Sequence, residues 1–485
     1  MAAGRFTPLT LRMARERPTR PALIWRDQVT TYEELEHRVR RAAGYLRRKG
    51  VMPGDVVAVW ADTSPEWVAI AHAVSRLHAT LLPLNTRLTV DELIWQLDQA
   101  EARFLLTDSP STALSRSFKG TYCTLSTCHD EDLVQDLSDG IDYSSISTIL
   151  FTSGTTGRPK AAMLSWANQL ASAEASSTVL QLGAQDRWHL ALPLFHVGGL
   201  NILHRCAHVG ATVVMQDRFE VGEALDLFER WRVTITSVVP TVLRRIKERL
   251  GDRPLPDSLR AMLVGGAAAS EDLLASFPQA LPTYGLTETC SHVTLARPGA
   301  AIAPGSATPP LPGTEVRIVS AEGDPLPMGL AGLIEVRGAT VFQGYLGHPR
   351  RRATDWFRTG DIGELDAAGR LVVHSRRSDL IVSGGENVYP AEVEAALEAH
   401  PAIREAAVVG VPDPEWGQVP WAFVVRHDPD LAEVAIRRFL GERLARYKHP
   451  RRFLFVPELP RLANGKVARA QLARDVEHLQ AAPQP

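Results

Sequence analysis

Lysine is scarce in this chain of 485 residues: all but six of its 53 basic residues are Arg. Where Arg serves as the general cation, a retained Lys is a candidate for a place that needs a compact ammonium, although Lys49 and Lys247 read as solvated helix positions. The six are Lys49, Lys119, Lys160, Lys247, Lys448 and Lys466. Cysteine is scarcer still, with four (Cys123, Cys128, Cys206, Cys290), too few to staple a chain of this length. None forms a C-x-x-C pair. His204, Cys206 and His208 lie close in sequence but have no fourth ligand nearby, so they read as packing. Net charge is also low, at −2, which argues against nucleic acid or an anionic membrane as the main partner. No apolar run approaches the roughly 20 residues of a membrane span, and the Arg-rich start lacks a signal-peptide core. The expectation is a cytoplasmic protein with small-molecule partners. Its oligomeric state, homo-oligomer included, is left open.

What the chain does have is ample apolar content, 45%, against 22% charged residues, and a length that calls for a large body plus a smaller unit. Tyr32–Arg48 carries helical spacing (Leu35, Val39, Ala42, Ala43, Leu46), Val56–Trp60 reads as a buried strand, and Glu66–Leu77 reads as a helix. Ala161–Leu164 is strand-like, Ser165 is placed to cap a helix running to about Gln181, and Val213–Met215 and Ile235–Val239 are further strands. Such alternation predicts an α/β fold of mostly parallel sheets covered by helices. Between about 305 and 366 short β-runs separated by Gly and Pro (Glu315–Val319, Leu333–Arg337, Gly363–Leu365) predict a β-rich, more antiparallel subdomain. A compact α+β unit then begins. Pro390 opens a helix, Val408–Val411 and Ala422–Val425 are strands, and Leu431–Arg446 is amphipathic. The expected division is a large domain over 1–375, a hinge over 376–379 and a small mobile domain over 380–485.

The densest chemistry lies in Phe151–Lys160, FTSGTTGRPK, entered from an apolar β-rich run. Gly154 and Gly157 permit backbone angles that turn successive N–H groups into one concavity. Thr152, Ser153, Thr155 and Thr156 add hydroxyl donors, and Lys160 adds a point charge suited to phosphate oxygens. The spacing is not that of a Walker loop, whose Lys directly follows the second Gly. Neither is Ser153 a nucleophile elbow, because Phe151 stands where that pattern needs glycine. Three other segments carry functional residue types. Gly265-Gly266-Ala267 follows an apolar strand and is open to a flat ring. Tyr284–Thr289, YGLTET, offers an aromatic face, hydroxyls and a carboxylate. Thr359-Gly360-Asp361 sets a carboxylate after a Gly turn, where it suits two ribose hydroxyls.

In this order, together with LPLFHVGG (192–199), WFRTGD (356–361), RRSDLIVSGGENVYPAEVE (376–394) and NGK (464–466), these segments resemble the adenylate-forming superfamily of acyl-CoA synthetases, peptide-synthetase adenylation domains and luciferases. The resemblance covers nearly the whole chain. Within the superfamily the wording of DRWHLALPLFHVGGL and YGLTETCSHVT is most similar to the o-succinylbenzoate–CoA ligase subgroup of menaquinone biosynthesis.

The resemblance implies ATP, Mg²⁺ and coenzyme A as cofactors and co-substrates. It implies that Thr152, Ser153, Gly154, Thr155, Thr156, Gly157 and Lys160 hold the outer phosphates, that Glu288 holds Mg²⁺, and that Thr287 touches phosphate. Gly265, Gly266, Ala267, Tyr284 and Gly285 border adenine, and Asp361 and Arg376 hold the ribose. Lys466 bridges carboxylate and α-phosphate, while His196 sits at a gating position of the acyl pocket. The small domain swings about Ser378 to bring Gly384 and Gly385 to the thiol. Ser378 departs from the Asp or Lys usual at that hinge, and Ala161 departs from the Gly that often follows the loop Lys. A second, unreacted carboxylate in the acid requires polar partners, for which Arg205, Arg218, Ser291 and Thr294 are the candidates. An acyl- or aryl-CoA ligase of other specificity is the main alternative. A peptide-synthetase adenylation domain is disfavoured because no carrier segment follows residue 485. A non-catalytic adenylate-binding protein is disfavoured because Lys160, Glu288, Asp361, Arg376 and Lys466 are all present.

Overall fold

The computed structural model describes residues 4–86, 88, 90–108, 112–128, 136–152, 159–251, 253–266, 269–303, 305, 307–376, 381–383, 386–388, 390–413, 416–441, 443–444, 446–462 and 465–481. The helix expected over Tyr32–Arg48 spans those residues, with its apolar stripe buried. Thr31 starts it with a capping box: its hydroxyl accepts from the Glu34 N–H, and the Glu34 carboxylate accepts from the Thr31 N–H at 2.7 Å. Two donors that a helix start leaves open are thereby satisfied. Ser165 and Asn168 form the second such box, opening Trp166–Leu180, which ends at Gln181 in a left-handed conformation.

Two helix-covered sheets form the body. The first has six strands in the order Lys160–Ser165, Ile146–Thr152, Thr80–Pro83, Val56–Val59, Phe104–Leu106, Thr121–Cys123, all parallel except the first pair. That exception matters. Lys160 pairs directly with Thr152, so the Gly/Thr segment joins two antiparallel strands rather than a strand and a helix. The second sheet has eight strands: Ser291–Leu295, Ala280–Leu286, Ala261–Val264, Ile235–Val238, Arg187–Leu190, Thr212–Met215, Pro21–Trp25, Gln28–Thr31. It is antiparallel only at its two edges. Strands such as Ile235–Val238 and Ala261–Val264 are buried at every position, as sheets covered on both faces require.

The β-rich subdomain is a four-stranded antiparallel sheet of Thr314–Val319, Gly332–Gly338, Phe357–Leu365 and Leu371–Arg376. Here the strand expected at Gly363–Leu365 is longer and begins at Phe357. Thr359-Gly360-Asp361 therefore lies within a strand, with Gly360 supplying a φ of +82°. Ile381–Ser383 already belongs to a different, five-stranded sheet with Glu386–Val388, Gly417–Arg426, Ile403–Asp413 and Arg452–Phe455. Side chains of Ile403–Asp413 alternate: Ala406 and Val408 pack with Val393 and Leu397, whereas Ala407, Val409 and Val411 pack with Leu472 and Val476. The amphipathic stretch Leu431–Arg446 is helical only over Glu433–Gly441, because Gly441 weakens continuation and a 3₁₀ turn at Arg446–Lys448 follows. The expected hinge residue Ser378 lies outside the described residues.

Four buried histidines, His72, His189, His204 and His292, give the body a pH dependence, and burial holds His292 well below its ordinary value. The His189 ring is within hydrogen-bond distance of Thr236 Oγ1 at 3.1 Å and Gln216 Oε1 at 3.2 Å. Burial lowers His72 and His189 to about 4 and His204 to about 3, from an ordinary 6.5. The unfolded chain takes up their protons first, so their contribution to stability is complete above about pH 6.5 and is lost as pH falls toward 4. Unfolding free energies from denaturant titrations are expected to drop between pH 7 and 5, by about 1–2 kcal/mol per histidine. His189→Asn should flatten that drop, and an unchanged pH profile would contradict the assignment.

Candidate active site

Strand ends from both body sheets, the four-stranded sheet and the small unit converge on one cleft of ≈ 2560 Å³. A single drug-sized ligand fills roughly 300–1,000 Å³, so this space suits several substrates together. Lys160, Glu288, Asp361 and Lys466 all line it, although 306 residues of chain separate the first and last. Gly265 and Gly266 lie there at the end of Ala261–Val264, with Gly266 at φ +81°.

Glu288 is delivered by a tight turn. Ala280–Leu286 shifts register against Ser291–Leu295 at Tyr284/Gly285, and a 3₁₀ turn of Thr287–Thr289 follows. A Cβ on Gly285 would stand 1.5 Å from the Ser291 carbonyl oxygen, so only glycine allows this approach. Cys290 (φ 53°) and Ser291 (φ 92°) complete the reversal in backbone conformations that L-residues disfavour. The Cys290 carbonyl accepts from Ser172 Oγ at 2.7 Å and Asn201 Nδ2 at 2.8 Å, holding the turn in place.

Around the carboxylate the chemistry is ordered. Tyr345 OH donates to Glu288 Oε1 at 2.8 Å, and Thr152 Oγ1 donates to the same oxygen at 3.3 Å. Lys160 Nζ sits 5.2 Å from the centre of the Tyr345 ring. Burial, reinforced by the neighbouring Glu288 charge, pushes the Tyr345 phenol well up, so it remains a donor at neutral pH. On the opposite side Tyr284 OH donates to Asp361 Oδ2 at 2.7 Å, and Asp361 pairs with Arg376 across the sheet backbone.

Among the described residues no group of three or more His, Cys, Asp or Glu converges to cage a metal. Magnesium does not need such a cage. It takes one or two carboxylates and leaves its other positions to water and substrate phosphates. The Glu288 carboxylate on the cleft wall fits that donor set.

Of the other residues singled out by sequence, His196, Thr287, Gly285, Arg218 and Ser291 line the cleft. His196 stands at the N-cap position of Val197–Val209 without a side-chain capping bond, and its ring packs edge-on to Phe195 at 4.7 Å. Two expectations need correcting. Arg205 is not on the wall; it is 1% exposed, donates to Ser172 Oγ at 3.3 Å, and lies over Trp188. Burial lowers it to about 10. Its helix turns it into the body, a direction that sequence spacing alone did not reveal. Thr294 is also buried, paired with Thr308 Oγ1 at 2.5 Å. Ser153, Gly154, Thr155, Thr156, Gly157, Ala267, Gly384, Gly385 and the Arg376 side chain lie outside the described residues. The sequence reading missed Tyr345. It sits in FQGYLG, where flanking glycines make it look like an ordinary turn residue; only its backbone bridge to Ala162 places it beside Lys160.

Residues 11–346 match the family model of the AMP-binding enzymes, and residues 392–466 match the AMP-binding enzyme C-terminal domain. The chain belongs to the AMP-binding enzyme family. It is 40% identical over 471 residues to a 2-succinylbenzoate–CoA ligase of Bacillus licheniformis, covering 94% of this chain and 97% of that one. Among solved structures of this AMP-binding fold, it is similar to o-succinylbenzoate CoA synthetase of Bacillus subtilis in three complexes. With the acyl-adenylate intermediate the TM-score is 0.90 at 35% identity, covering 97% of this chain and 98% of the other. With ATP and magnesium it is 0.89 at 36% identity, covering 97% and 100%. With the product analogue OSB-NCoA, in a double mutant, the score is only 0.75 at 35% identity, although 99% of each chain is covered.

Tyr345→Phe removes the closer hydroxyl on Glu288. A hydrogen bond to a charged group is worth about 1.5–3 kcal/mol, so the apparent affinity for Mg²⁺ is expected to fall roughly tenfold or more in a metal titration of the adenylation step. A titration curve unchanged from wild type would separate Tyr345 from the metal site.

Proposed function

We propose that this chain is an ATP-dependent carboxylate–CoA ligase acting on 2-succinylbenzoate, the reaction that the resembled subgroup contributes to menaquinone biosynthesis. The observation that carries this reading is the convergence of Lys160, Glu288, Asp361 and Lys466 on one cleft large enough for several substrates. The chain's identity with the ligases it resembles supplies the substrate.

A carboxylate is a poor acyl donor because oxide leaves badly. In the first step a carboxylate oxygen attacks the α-phosphorus of ATP, the bond to pyrophosphate breaks, and an acyl-adenylate forms. In the second, the thiol sulfur of coenzyme A attacks the acyl carbon, and AMP departs with the bonding electrons while the thiol proton is released. Two tractable displacements replace one intractable step. The first demands charge neutralisation and alignment more than proton transfer. Lys160 neutralises the outer phosphates, Asp361 holds ribose hydroxyls with Tyr284 fixing its carboxylate, and Gly265 and Gly266 let adenine approach the backbone. Lys466 sits between carboxylate and α-phosphate. Glu288 would hold Mg²⁺, which supplies charge neutralisation on the phosphates when bound. His196 and Thr287 border the acyl and phosphate ends.

The large body over 1–375 and the small domain over 380–485 are proposed to turn relative to one another about 376–379, which includes Ser378. That motion would carry Lys466 out and bring the Gly384-Gly385 segment to the thiol. With Arg205 and Thr294 off the wall, the second carboxylate of the acid is assigned to Arg218 at the cleft mouth and Ser291 on its side. Arg218 is 87% exposed at its side chain and paired with Asp62 at 3.5 Å, so it is available to exchange partners.

A carboxylate panel assayed for ATP- and CoA-dependent thioester formation tests the substrate. 2-Succinylbenzoate is expected to lead the panel, and Arg218→Ala to raise its KM roughly tenfold, as loss of a charged hydrogen bond does. Activity on fatty or simple aryl acids with none on 2-succinylbenzoate would leave the ligase reading and remove the substrate.

A further inference from the structure

A chain of ion pairs runs from the body to the turn that carries Lys466. Arg244 lies on the body helix Pro240–Leu250 and faces the small unit. Its Nη2 donates to Glu398 Oε2 at 3.1 Å, and its Nη1 stands 3.6 Å from Glu405 Oε1. The other oxygen of Glu405 accepts from Arg461 Nη2 at 2.7 Å. Arg461 Nη1 in turn donates to the Gly465 carbonyl at 2.9 Å, one residue before Lys466. Two backbone bonds close the same turn, Gly465 N–H to Leu462 O at 2.9 Å and Leu462 N–H to Lys466 O at 2.8 Å. Each link therefore bears on the next, and the last bears on the backbone of the reacting lysine.

We infer that Arg244 is a positioning residue for Lys466: through Glu398, Glu405 and Arg461 it latches the small domain in the adenylate-forming arrangement, and it releases for thioester formation. This rests on the ligase reading above. The latch belongs to one arrangement of the chain, the one that superposes more closely on the adenylate complex of the Bacillus subtilis enzyme than on its product-analogue complex. It is also built to open. The Arg244 side chain is 21% exposed and its partners 20% and 17%, so water can replace each bond as it breaks. Burial raises the Glu398 carboxyl pKa, which offsets part of the ion-pair attraction. A fully buried pair would instead leave stranded charges on opening.

The test uses the full chain and separates the two half-reactions. Carboxylate-dependent exchange of labelled pyrophosphate into ATP reports the first, and thioester formation from synthetic acyl-adenylate and CoA reports the second. Arg244→Gln and Glu405→Gln are expected to slow exchange about fivefold, the equivalent of one part-exposed ion pair, and to leave the second step unchanged or faster. Arg244→Lys should retain an intermediate rate of exchange. The retained second step shows that the variants are folded. Equal slowing of both steps would overturn the latch, as would slowing of the CoA step alone, which would make Arg244 a phosphate contact. The exchange is run with the acid that wild type adenylates in the panel. Inactivity on 2-succinylbenzoate therefore removes the substrate assignment and leaves the latch to its own result.

Discussion

The reversal between Gly285 and Ser291 governs the rest of the site, because it decides where the cleft presents the Glu288 carboxylate. Gly285 packs directly against the Ser291 carbonyl, and the two residues after Glu288 and Thr289 adopt left-handed backbone angles. Such angles persist only when surrounding bonds over-determine them. Here the Thr289 hydroxyl bonds the Leu286 backbone, Ser172 and Asn201 bond the Cys290 carbonyl, and the Phe342 N–H bonds the Glu288 carbonyl at 2.9 Å. The carboxylate is thereby presented at a set position before any substrate arrives.

From that point the remaining groups arrive by different routes. Thr152 and Lys160 come as a cross-strand pair on the six-stranded sheet, and Tyr345 comes from a segment bridged to the same strand. Asp361 comes from the four-stranded sheet and is held by Tyr284 from the eight-stranded one. Lys466 comes from a turn of the small unit. A site assembled from separate layers can be opened by moving one of them. In the proposed reaction this geometry serves ATP and a carboxylate, and a second arrangement serves the thiol.

Arg carries most of the structural ion pairs, including the Arg317 and Arg337 guanidinium groups stacked on Trp356 at 4.3 and 4.5 Å and the buried Arg76–Glu36 pair. Planar guanidinium suits those stacked and forked contacts. In the proposed reaction Lys160 and Lys466 meet a mobile phosphate chain, where a compact point charge can follow the oxygens.

Local signals in the sequence determined the helix of Tyr32–Arg48, the cap at Ser165, the alternation that makes both body sheets mostly parallel, and the family to which the chain belongs. Each depends on spacing within a few residues, which side-chain periodicity and turn chemistry record directly. Lys160, Glu288, Asp361 and Lys466 were legible for the same reason, since each sits in a short segment of unusual composition. What only the tertiary structure decided were directions and distant neighbours. Arg205 turns inward, Thr294 pairs with Thr308, Tyr345 reaches Glu288, and Arg244 meets Glu398 and Glu405. No local pattern encodes these, because an Arg on an amphipathic helix or a Tyr between glycines has the same wording whether it faces solvent, core or cleft. The facing is set by the packing of one layer on another.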